Sequence, residues 1–88
     1  MTIRWSSRAL SDLAAIYAYV ATFSESAAGH TVDRLSSAAE TLARLPQLGR
    51  PGRIAGRREL VVERYVLVYR VRREEIYILT VEYGAQRR

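Results

Sequence analysis

The 88-residue sequence contains no cysteine and no lysine, and only one histidine and two prolines. Without cysteine there are no disulfides and no thiolate nucleophiles or metal ligands, a composition at home in a reducing cytosol. A single histidine, His30, leaves any zinc site or nucleophile–base pair without its second member. Gly49, Gly52 and Gly56 form no phosphate loop, because none stands between a strand and a helix N-terminus. No apolar run approaches the ~18 residues of a membrane span, and Met1–Arg8 lacks a signal-peptide core. The chain therefore reads as one soluble cytoplasmic domain, residues 1–88, with no cofactor, no metal and no membrane partner. Its length suits a single modest core with little stability to spare.

Arginine is what the sequence has in abundance. All fourteen basic residues are arginine, against nine acidic ones, for a net charge of +5. Genomic composition would produce this, and so would a need for guanidinium forks that grip phosphate or carboxylate with two hydrogen bonds. The excess is local. Between Arg50 and Arg73 eight arginines meet only Glu59 and Glu63, while the residues before balance and those after sum to −1. The same stretch holds the strongest strand pattern of the chain, Tyr65-Val66-Leu67-Val68-Tyr69-Arg70-Val71-Arg72. A basic face laid on a sheet points to an acidic partner, either nucleic acid or an acidic protein segment.

Periodicity supplies the rest of the fold. Thr2–Trp5 is short and extended, and Ser6 or Ser7 can cap a helix carrying Ala9, Leu13, Ile16, Tyr17 and Val20 at spacings of three and four. Phe23–Ser26 interrupts it, with Ser24 or Ser26 as the next cap. A second stripe, Ala28, Val32, Leu35, Ala39 and Leu42, is a narrow seam suited to pairing with the first helix. Pro46 stops that helix, and Leu48–Gly52 reads as a loop. Strands are expected at 59–63, 65–72 and 76–83, with a tight turn of unclear geometry at Arg73-Glu74. The order β-α-α-β-β-β predicts an α+β fold, an antiparallel two-helix hairpin packed on a small antiparallel sheet of three to four strands. Thr2–Trp5 joins that sheet at a place four residues of pattern do not fix.

Candidate chemistry is sparse. His30 falls off the seam onto the solvated side of the second helix, and Glu74-Glu75 reads as a solvated turn. Tyr65, Tyr69 and Tyr77 read as core of the sheet. Tyr83 differs, because it ends the last strand beside Gly84-Ala85-Gln86-Arg87-Arg88.

Five blocks in order resemble toxins of the RelE/ParE superfamily: Trp5-Ser6-Ser7-Arg8-Ala9-Leu10 with Asp12-Leu13, Leu45–Gly52, Arg58–Val62, Tyr65–Val71 and Tyr83-Gly84-Ala85-Gln86. The resemblance spans nearly the whole chain and implies a toxin of a type II toxin–antitoxin system, neutralised by a cognate antitoxin with an acidic, partly disordered segment. It implies one of two targets. RelE-like members cleave mRNA on the ribosome, and ParE-like members inhibit DNA gyrase. The RNases carry a basic residue just before the Leu-Val-Tyr of the middle strand, where this sequence has Val66. They also place basic and aromatic groups in the tail, where this sequence has Gln86 and no tyrosine after Tyr83. These departures favour the ParE-like branch, a gyrase inhibitor that works without catalysis. A RelE-like endoribonuclease built on Arg70, Arg72 and Tyr83 is the alternative, and a non-toxic binding module is a third reading. The antitoxin surface is assigned to Arg57, Arg58, Arg70 and Arg72, and the target-facing end to Tyr83, Arg87 and Arg88. Direct DNA binding by this chain alone is not expected.

Overall fold

The computed structural model describes residues 1–84. Strand β1 (Thr2–Trp5) leads into helices α1 (Ser7–Ala21) and α2 (Glu25–Arg44), followed by β2 (Arg50–Pro51), β3 (Arg58–Val62), β4 (Tyr65–Arg72) and β5 (Glu75–Tyr83). Both helices start at serine caps. Ser6 Oγ accepts from the Ala9 amide at 2.9 Å, and Ser24 Oγ from the Ala27 amide at 3.2 Å, each such cap contributing about 1 kcal/mol. Ser6 also donates to the Leu79 carbonyl at 2.8 Å. One side chain thus starts α1 and fixes it to the sheet. Asp12 makes a second tie, its Oδ2 accepting from the Val81 amide at 2.9 Å.

The expected seam is the buried side of α2: Ala28, Leu35, Ala39 and Leu42 are 1% exposed or less. Leu35, Ala39 and Leu42 pack with Ala9, Leu67, Tyr69, Ile76, Ile78 and Val81 in one core, where each fully buried aliphatic contributes about 1.5–3 kcal/mol. Tyr17, read as part of the α1 stripe, is 42% exposed instead.

The α+β architecture stands, and the sheet is larger than the three to four strands expected. It has five, in the order β1-β5-β4-β3-β2. It is also mixed, because β1 pairs with β5 in parallel while every other pair is antiparallel. Parallel neighbours need a long crossover, and here the two helices and the strands after them supply it. The Arg73-Glu74 turn takes positive φ at both residues, 49° and 62°. This is the mirror-image hairpin turn that matches strand twist, built without its favoured glycine or asparagine. A register shift opposite Val68/Tyr69 puts one extra residue, Leu79, into β5. The bulge lets Ile78 and Val81, three residues apart, both reach the core.

Tyr69 organises the connection from α2 to the sheet. Its fully buried hydroxyl donates to the Pro46 carbonyl at 2.8 Å and accepts from the Gly49 amide at 2.9 Å. A Cβ at Gly49 would fall 2.7 Å from that hydroxyl and 2.8 Å from the Glu59 carbonyl oxygen, so only glycine fits. Among the described residues no helix is long and apolar enough to cross a membrane.

Candidate functional site

Helices cover one face of the sheet and none packs on the other, the bare side, although Glu59, Val66 and Val68 there are 5% exposed or less. Register places Arg4, Glu75, Tyr77, Thr80, Glu82, Val66, Val68, Arg70, Arg72, Glu59 and Val61 on the bare side. Arg70 and Arg72 lie there together and exposed, as the sequence suggested. The surface is less basic than the arginine count implied, because β5 and β3 bring three glutamates onto it. Glu75, read as a solvated turn residue, bonds Arg4 Nε at 2.6 Å and the Tyr77 hydroxyl at 2.6 Å. Tyr77, read as core, sits on this bare side with the Arg70 guanidinium 5.9 Å from its ring centre. The hydrogen bond from Tyr77, then that from Arg4, holds the Glu75 carboxyl below its ordinary range. The same bond to Glu75 pushes the Tyr77 hydroxyl up.

Arg57 and Arg58 are not part of that arrangement. Arg57 is exposed in the loop before β3. Arg58 is half-buried, and its guanidinium donates to the Gly49 carbonyl at 2.6 and 3.0 Å and to the Gln47 carbonyl at 3.2 Å. It holds the 47–49 connection to the edge of the sheet. Tyr83 is 39% exposed and meets Tyr65 edge to face at 5.8 Å. Burial, then proximity to Tyr83, raises the Tyr65 hydroxyl above its usual range. Arg87 and Arg88 lie outside the described residues.

Two clefts flank β3. The first, about 450 Å³, opens on the bare side among Arg50, Arg53, Arg64, Val61, Val66 and Gly84, with Glu59 and Glu63 also lining it. Glu59 is 5% exposed, and its carboxylate takes long hydrogen bonds from Arg50 Nη2 at 3.5 Å and the Arg53 amide at 3.4 Å. The second, about 470 Å³, lies between α2 and β3 among His30, Asp33, Arg34, Ser37, Thr41 and Val62. Arg34 pairs with Glu63 at 2.8 Å and donates to His30 Nε2 at 3.0 Å. Sequence reasoning missed both clefts. Their arginines are scattered through loops and α2, and only the placement of β3 gathers them. Among the described residues no group of three or more histidines or carboxylates could hold a metal ion.

The family profile described as ParE toxin of type II toxin-antitoxin system, parDE, matches residues 3–88. The chain belongs to the ParE toxin family. Relatives agree with this membership. The Y4kP protein of Sinorhizobium fredii (strain NBRC 101917 / NGR234) is 43% identical over 86 residues, covering 96% of this chain and 88% of its own length. Toxin RelE2 of Caulobacter vibrioides is 38% identical over 82 residues, 93% of each chain. Among solved structures, a chain of the chromosomal ParDE system of P. aeruginosa superposes with a TM-score of 0.83 at 30% identity, covering 94% of this chain and 95% of that one. A chain of the RelBE2 toxin–antitoxin complex of Mycobacterium tuberculosis gives a TM-score of 0.71 at 25% identity over 93% and 95%. The chain is thus a ParE-family toxin of the RelE/ParE superfamily, and its bare face and open clefts are surfaces of that toxin.

Proposed function

We propose that this ParE-family toxin inhibits DNA gyrase by binding it, without catalysis, and is held inactive by a cognate antitoxin. The observation that carries the reading is Val66. It is 3% exposed, lines the bare-side cleft, and stands where the superfamily's RNases carry a basic residue. An aliphatic side chain neither charges a phosphate site nor moves a proton. The match to the ParE family supports the same branch. Arg70 and Arg72 offer their guanidinia to an acidic antitoxin segment, and Tyr83, with Arg87 and Arg88 beyond the described residues, faces the target. Arg58 serves this surface indirectly, through the loop it holds.

The test is supercoiling by purified gyrase. Micromolar toxin should inhibit it and antitoxin should relieve the inhibition. An Arg70→Glu/Arg72→Glu toxin should still inhibit, yet need more antitoxin for relief, with a weaker dependence on salt. Unimpaired supercoiling overturns the gyrase reading. Two observations favour a second reading: Arg50, Arg53 and Arg64 line the bare-side cleft, with Glu59 and Glu63, and a 38% identical relative carries the name RelE2. A ribosome-dependent endoribonuclease would instead cut mRNA at codon ends in translating extracts.

A further inference from the structure

Four aromatic rings, two from the helical layer and two from the sheet, gather at one end of the molecule. Tyr19, in the last turn of α1, meets Phe23 edge to face at 5.5 Å. Tyr83, at the end of β5, meets Tyr65, at the start of β4, in the same way. Burial, then Tyr83, raises the Tyr65 hydroxyl, while Arg64 lowers it and Tyr19 raises it. Tyr83, Arg64 and Tyr19 therefore all lie within electrostatic reach of that ring. Tyr19 is 66% and Phe23 76% exposed. Rings this open bury too little surface to add much to folding, and a clustered apolar patch on the surface marks a contact site.

The patch is held in shape. The Thr22 hydroxyl donates to the Tyr19 carbonyl at 2.6 Å, the Phe23 amide to the Val20 carbonyl at 2.9 Å, and Ser24 then caps α2. The Gly84 amide donates to the Arg64 carbonyl at 2.8 Å and ties the end of β5 to the turn before β4. Side chains mounted on so fixed a backbone lose less freedom on binding. Pairing decides which face they occupy. Tyr83 lies directly opposite Tyr65, and Tyr65 packs against the core beneath the helices, so both stand on the helix side. Arg70 and Arg72 are on the bare side, so the sheet separates them from the tyrosine that the sequence groups with them. The charge at this end comes from Arg64. It is exposed and, among the described residues, makes no ion pair, while its neighbour Glu63 is taken by Arg34 at 2.8 Å.

We infer that Tyr19, Phe23, Tyr65 and Tyr83, with Arg64 at their rim, form the contact by which this toxin holds gyrase, against an apolar pocket that carries a carboxylate for Arg64. Aromatic rings beside an arginine are the side chains that dominate protein–protein binding energy. A second copy of this chain fits badly, because a two-fold contact would enclose two Arg64 guanidinia without a counter-charge. Nucleic acid fits less well too, since two edge-to-face pairs offer no row of parallel ring faces for successive bases. The inference rests on the gyrase reading and adds which residues touch the target, across the sheet from Arg70 and Arg72.

Supercoiling by purified gyrase and calorimetry with the cognate antitoxin test it together. Tyr19→Ala/Phe23→Ala and Arg64→Glu should each raise the toxin concentration for half-inhibition at least about tenfold. Antitoxin affinity should stay within about threefold of the parent, as for ordinary surface changes. The three substituted residues are exposed, and circular dichroism of each variant checks that the fold is kept. If the parent inhibits gyrase and both variants inhibit it equally well, the inference falls alone. If the parent does not inhibit, the gyrase reading falls first. Antitoxin affinity that drops in step with inhibition would assign the patch to the antitoxin and overturn the inference. So would a dimer of the parent that Tyr19→Ala/Phe23→Ala dissolves in sedimentation, or a single-stranded oligonucleotide that the parent binds and the variants do not.

Discussion

Both terminal strands of the sheet leave an outer side without a neighbouring strand among the described residues, and they differ in how they are anchored. At the β1 edge the strand is short but fully engaged: all four residues pair with β5, and Ile3 and Trp5 pack against the core. The ends of β1 are fastened too, by the Met1 amine to the Ala43 carbonyl at 3.1 Å and the Ser6 amide to the Ile78 carbonyl at 3.0 Å. At the opposite edge β2 is two exposed residues and most of β3 is uncovered. Leu60 and Val62 of β3 pack against the core as Ile3 and Trp5 do, so the second edge differs in its exposed positions, Val61 and the two residues of β2.

The sharpest way to break this contrast is to truncate one residue at each edge. Trp5→Ala should cost about 3 kcal/mol, somewhat below the figure for a fully buried tryptophan because Trp5 is half-buried. Val61→Ala, at the exposed edge, should stay within about 0.5 kcal/mol. Urea unfolding of both variants decides the matter, and equal midpoints would remove the distinction between the two edges.

A smaller effect is expected where the connection from α2 meets the second edge. Tyr69→Phe removes the hydroxyl that holds Pro46 and Gly49 and leaves the buried Gly49 amide without its acceptor. The cost should be about 1–3 kcal/mol. The Gly49 amide should also exchange faster, as the 46–49 connection is released. A stable variant with unchanged Gly49 exchange would mean that something other than Tyr69 holds the connection.

Much of the fold was legible from local pattern. The α2 seam, the serine caps, the stop at Pro46 and the Tyr65–Arg72 strand all depend on residues within a turn or two of one another. The placement of β1 was not legible, since its partner β5 lies about seventy residues away and four residues carry too little pattern to choose a neighbour. β2 is too short to leave any periodicity. Arginine identity also misled in part. Arg58 looks like Arg70 in sequence, yet one binds loop carbonyls and the other faces outward, because alternate positions on paired strands point to opposite sides of the sheet. Glu75 illustrates the same limit, since its partner Arg4 becomes a neighbour only through the parallel pairing of β1 with β5.

That pairing gives the smallest and most specific prediction. The Glu75 carboxyl is held below its ordinary range of about 4.3, first by the hydrogen bond from Tyr77 and then by that from Arg4. A carboxyl with a lowered folded-state pKa adds stability that is fully present above its unfolded value and lost as pH falls through the folded one. The stability difference between the parent and Glu75→Gln should therefore be constant near neutral pH and shrink in acid, below the usual carboxylate range. It should stay small throughout, because Arg4 is 63% exposed and water and salt screen the pair. Titration of Glu75 by NMR separates the two partners: Tyr77→Phe and Arg4→Ala should each raise its pKa, since the Tyr77 hydrogen bond and then the hydrogen bond and charge of Arg4 hold it down. An unchanged pKa in Arg4→Ala would place the support of this carboxylate wholly within β5. A rise would mean that the β1 edge is fastened by charge as well as by packing.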